Sequence, residues 1–98
     1  MTSVDSLVKK LIQEYGCSVN PYETDYIDLW CSDYLEIPKE LEEQLKRVGA
    51  RVDVGCAGAC SGFGELYRVE KDDVVIYYTG VYFDSDYLWV VIKIPKNS

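Results

Sequence analysis

Four cysteines, Cys17, Cys31, Cys56 and Cys60, are the side chains best suited to chemistry in this 98-residue chain. Their spacing is C-x13-C-x24-C-x3-C. Structural zinc sites usually draw on two close pairs, C-x2–4-C, often completed by histidine. Only Cys56 and Cys60 stand that close, and the chain has no His, so no metal and no cofactor are expected. Thioredoxin-like exchange needs C-x-x-C at a helix start, where the helix dipole lowers the thiol pKa. Cys56 and Cys60 have three residues between them and lead into a strand-like segment. A redox or metal protein centred on this pair is therefore the alternative reading. The leading expectation is a Cys56–Cys60 disulfide that clasps the loop, one of the three complete pairings four cysteines allow. Cys31 and Cys56 also fall at inward strand positions, where a thiol packs as a small hydrophobe.

The lack of His also removes Ser-His and Cys-His nucleophile pairs. The glycine-rich run from Gly55 to Gly64 matches neither G-x-G-x-x-G nor G-x-x-x-x-G-K-[ST], and no helix follows it to bind phosphate. Asp72-Asp73 and Asp84-Ser85-Asp86 read as turns. No catalytic residue is assigned, and the balance falls against an enzyme. Glu23, Asp25, Asp28, Asp33 and Glu36 make the densest negative stretch. They are placed to face a basic partner or to keep a sheet edge solvated.

Ten basic against seventeen acidic residues give a net charge of −7 and a pI near 4.4. That balance argues against nucleic acid and anionic membranes, whose binding relies on Lys and Arg, and favours a basic protein as partner. No basic segment precedes an apolar core at the N-terminus, and no apolar run approaches the ~20 residues that span a bilayer. The expected location is cytoplasmic. Gln and Asn number only two each, with one Met, a bias that suits a thermophilic source. Heat adaptation in turn makes intracellular disulfides admissible.

The elements that must position these residues follow from periodicity. Residues 3–15 carry Val4, Leu7, Val8, Leu11, Ile12 and Tyr15 at helical spacing, capped by Ser3 or Asp5 and ended by Gly16. Tyr26–Cys31 and Arg51–Cys56 alternate as strands. Between them Pro38 starts a second helix with Leu41, Leu45 and Val48 on its apolar stripe, Glu42 among the solvated residues and Gly49 as its stop. Strand, helix, strand predicts a parallel βαβ crossover. Glu65–Glu70, Val74–Phe83 and Tyr87–Ile94 read as an antiparallel meander, with Gly80 marking a bulge. The expected fold is α+β, a single domain over 1–98, with the order α-β-α-β-β-β-β. It has two layers: one mixed sheet of about five strands and two helices on one face.

Two helices cover only one face of such a sheet. The other face is expected to carry Tyr67, Tyr77, Tyr87, Trp89 and Val91, a surface rich in the residues enriched at interfaces. The functional expectation is an acidic, non-enzymatic interaction protein that forms a homodimer through this face and can bind or inhibit a basic partner.

Overall fold

The computed structural model describes residues 3–57, 64–81 and 87–96. Helix α1 (Val4–Tyr15) begins where the Ser3 hydroxyl accepts from the Ser6 amide, and ends at Gly16. Leu7 and Leu11, four residues apart, are its buried face, with Val4, Val8 and Tyr15 packed beside them. A short strand β1 (Ser18–Val19) precedes β2 (Tyr26–Trp30) and β3 (Tyr34–Pro38). Helix α2 (Lys39–Arg47) follows at once, with Pro38 at its N-cap. Strands β4 (Arg51–Ala57), β5 (Gly64–Lys71), β6 (Val74–Val81) and β7 (Tyr87–Pro95) complete the described chain.

The class is α+β, but the strands form two sheets instead of one. The first has the order β1-β2-β7-β4 and the second β3-β6-β5, with every pairing antiparallel. Strands β2 and β4 do run parallel to each other, yet β7 lies between them. The reason is in the composition of β7. Val90, Val91 and Ile92 are all buried, and a strand apolar on both faces belongs in the middle of a sheet. The hairpin β5–β6 closes through Asp72-Asp73, whereas β6 and β7 part into different sheets.

The two sheets share one ribbon. The Cys31 amide donates to the Val90 carbonyl, and the Val90 amide donates to the Ser32 carbonyl, both at 2.9 Å. Two residues thus face one, which is a bulge that bends the strand. Immediately afterwards the Thr79 amide donates to the Asp33 carbonyl at 3.1 Å, so the chain has crossed to β6. Strands that change sheets in this way form the corners of orthogonal packings.

Both inner faces and both helices enclose a single core. Leu29, Val90, Ile92 and Ile94 come from the first sheet, Leu35, Ile37, Val75 and Tyr77 from the second, and Leu41 and Leu45 from α2. The second sheet supplies cover that two helices over one broad sheet could not. A buried disulfide, Cys17–Cys31, joins the end of α1 to the corner.

Candidate functional site

Among the described residues, Tyr22 apart, the exposed aromatic rings lie on the outer faces of the two sheets. On the first sheet, register places Trp30 opposite Val91 and Trp89 opposite Gly55. A Cβ at Gly55 would fall 2.7 Å from Trp30 Cη2 and 2.5 Å from Val91 Cγ2, so glycine is what lets the indole lie across this strand. Trp30 and Trp89 meet edge to face with centroids 6.1 Å apart, a favourable geometry for aromatic rings. Between them Val91 is only 1% exposed. Trp30 Nε1 donates to Asp28 Oδ2 at 2.9 Å, and Asn20 Nδ2 donates to the same oxygen at 3.1 Å. Asp28 is 5% exposed, and its Oδ1 has no hydrogen-bond partner among the described residues. The Arg51 guanidinium lies 5.5 Å from the centre of the Tyr26 ring. An open hollow of about 340 Å³ borders Ser18, Val19, Asn20 and Trp30.

The second sheet has a different outer face. Tyr34, Tyr78 and Tyr67 are directly opposite one another on β3, β6 and β5, a row across all three strands. They are 50%, 38% and 37% exposed. Beside them runs a second row, Glu36, Ile76 and Val69, and beyond it Pro38, Val74 and Lys71. Tyr67 and Tyr78 stack with centroids 5.1 Å apart and planes 20° from parallel. The Tyr67 ring rests over Gly80, where a Cβ would lie 2.7 Å from Tyr67 Cε2. Gly80 sits in regular pairing opposite Glu65, so its role is close approach and not a bulge. The Tyr34 hydroxyl donates to Glu36 Oε1 at 3.0 Å, and the Tyr67 hydroxyl donates to Glu65 Oε2. The Glu36 carboxylate raises the Tyr34 pKa above its ordinary value, keeping that hydroxyl a donor.

The inner face fixes this sheet to α2 through a charged clamp. Glu42, 3% exposed, accepts both forks of Arg68, at 2.7 Å from Nε and 2.7 Å from Nη2. It also accepts the Tyr77 hydroxyl and lies 3.5 Å from Lys46 Nζ. Hydrogen bonding from Arg68 holds the Glu42 carboxyl down at about 2, against the pull of its own burial. Burial and the Glu42 carboxylate push Tyr77 up to about 12. Arg68 also reaches Glu70 at 2.6 Å, which pairs with Lys39 at 3.0 Å. A bidentate guanidinium on a desolvated carboxylate is a strong, directional joint. It positions the sheet on α2.

The residues expected to share one aromatic face are dispersed. Tyr67 lies on the second sheet's outer face, while Tyr77 is on its inner face, in the core. Trp89 and Val91 are on the first sheet, the former exposed and the latter covered, and Tyr87 opens β7 opposite Ala57. Tyr34 and Tyr78 take the places beside Tyr67 that Tyr77 and Trp89 were expected to fill. Of the acidic set, Asp28 is buried on the first sheet and Glu36 exposed on the second, while Asp33 sits at the corner. Glu23 caps the turn before β2 by accepting from the Thr24 and Asp25 amides, and Asp25 is exposed. These five carboxylates therefore do not form one surface. Cys56 is a disulfide cysteine opposite Leu88, and the Cys60 end of the expected Cys56–Cys60 clasp lies outside the described residues. Among the described residues no cluster of Cys, Asp and Glu could hold a metal ion, and no helix is long and apolar enough to cross a membrane.

No protein family matches the chain, and no curated protein or solved structure does either.

Proposed function

We propose that the chain is a small, acidic, non-enzymatic interaction domain that binds protein through the outer face of its second sheet. The observation that carries this reading is the tyrosine row Tyr34–Tyr78–Tyr67, each ring more than a third exposed, lying beside exposed Val69. Tyrosine rings set in a rigid sheet offer large contact area at little cost in side-chain entropy. A basic protein surface is the occupant that suits the charge of −7 and the carboxylates of Glu36 and Glu65. A second copy, in a two-fold dimer, is the other reading. It is favoured by the aliphatic pair Ile76–Val69, which face-to-face sheet packing would bury.

A photoreactive amino acid placed at Val69, with Gln13 on α1 as control, tests both. In the native host the expected result is a covalent adduct from position 69 and none from 13, its mass identifying a basic protein or a second chain. Equal labelling from the two positions, or none from 69, would overturn the assignment of this face.

A further inference from the structure

Resting on the tyrosine face as the binding surface, we infer that it is built to read arginine: the row Tyr34–Tyr78–Tyr67 takes guanidinium groups on its rings while Glu36 and Glu65 take their N–H donors.

The register carries the argument. Neighbouring strands lie ~4.8 Å apart, so the row spans about 10 Å from Tyr34 to Tyr67. Glu65 stands opposite Gly80 and Glu36 opposite Ile76, which puts the two carboxylates at opposite diagonal corners of the central Tyr78. Diagonal neighbours on a sheet are about 7–8 Å apart, within reach of one long side chain. The face is also preorganised. The Tyr67 ring is seated on Gly80 and stacked on Tyr78, and the Tyr34 and Tyr67 hydroxyls each tether a carboxylate on their own strand. With the Tyr34 and Tyr67 hydroxyl protons committed to carboxylates, neither hydroxyl points a donor at an incoming cation, and the negative charge of Glu36 and Glu65 stays on this face.

Guanidinium fits that description better than ammonium. It is planar and weakly hydrated, stacks on aromatic rings, and keeps N–H groups in plane for a carboxylate. Phosphate-bearing partners would meet repulsion from both carboxylates, the described cation of this face being Lys71, two rows from the tyrosines. A second copy would bring four carboxylates into one seam, with a charge of −7 on each chain. The occupant the charges select is an arginine-bearing segment of another protein.

The test uses the full chain and three blocked peptides of equal length, carrying three arginines, three lysines or three citrullines at the same positions. Binding is read by calorimetry and by amide shifts of β3, β5 and β6. The arginine peptide should bind roughly threefold to fivefold tighter than the lysine peptide, and the citrulline peptide should not bind. The double variant Tyr34→Leu/Tyr78→Leu should abolish the preference for arginine. Glu36→Gln/Glu65→Gln should weaken both cationic peptides roughly fivefold, and raised salt should do the same. Unfolding curves of each variant confirm that the fold is kept. Equal arginine and lysine affinities, with binding still lost on the tyrosine double variant, would overturn arginine recognition and leave the face a protein-binding surface. Peptide binding that ignores the tyrosines would overturn both.

Discussion

The outer face of the first sheet and the outer face of the second are both aromatic, and they behave differently. On the first, Trp30 lies across Gly55 beside the buried Val91, meets Trp89 edge to face, and spends its N–H on the buried Asp28. The rings serve as a lid of side chains, and the valine beneath is sealed. On the second, Tyr34, Tyr78 and Tyr67 stand in a line across the strands, each more than a third exposed, with Tyr67 seated on Gly80 and stacked on Tyr78. Aromatic content alone does not distinguish a lid from a platform. What does is whether a ring lies over an apolar neighbour of its own sheet.

That contrast can be broken or sharpened by substitution. The second sheet is fixed from its inner side, so the largest effect should come from there. Arg68→Met strands the buried Glu42 carboxylate and should cost about 3 kcal/mol in urea unfolding. The same joint makes the fold acid-sensitive. The Glu42 carboxyl titrates at about 2 in the fold against 4.5 ordinarily. Its contribution is therefore present in full above about pH 5 and is lost as pH falls from there toward 2, again about 3 kcal/mol. Stability that stays flat between pH 5 and pH 2.5 would mean the clamp does not form.

Next in size is Trp30→Ala, which uncovers Val91 and removes a donor from Asp28. It should cost about 2 kcal/mol. Tyr78→Ala on the open platform should cost less than about 1 kcal/mol. If the two cost the same, the distinction between lid and platform fails. Smallest of all should be Lys39→Ala, whose ion pair with Glu70 is exposed. A change within about 0.5 kcal/mol is expected in its urea midpoint.

Much of this was legible in the sequence, and the failures have identifiable causes. Both helices, with Leu7, Leu11, Leu41 and Leu45 inward, follow from period and caps. So do the spans of β2, β4, β5, β6 and β7 to within a few residues, together with the inward set Leu88, Val90, Ile92 and Ile94. Strand β3 is masked by Pro38, which signals a helix start, although Leu35 and Ile37 alternate ahead of it and both are buried.

The faces of the β5–β6 hairpin are set by its turn, and the expectation of Tyr67 and Tyr77 on one face fails there. A two-residue turn at Asp72-Asp73 sets Lys71 opposite Val74, which puts Tyr67 opposite Tyr78 and turns Tyr77 to the core. Glu42 looked solvated because helical period shows only a helix's own stripe. Its partner Arg68, twenty-six residues away, belongs to a sheet whose position the period does not encode. The Cys17–Cys31 bond depends likewise on where the corner brings the end of α1. The split into two sheets comes from the bulge at Cys31–Ser32, which no spacing rule marked.

That corner ties the two platforms mechanically. Within three residues the same backbone is gripped by Val90 on one side and by Thr79 on the other, so Tyr34 cannot be pulled outward without loading Trp30. A protein gripping the tyrosines would therefore be felt across the molecule, as slower hydrogen exchange at the Cys31 and Val90 amides, which it never touches.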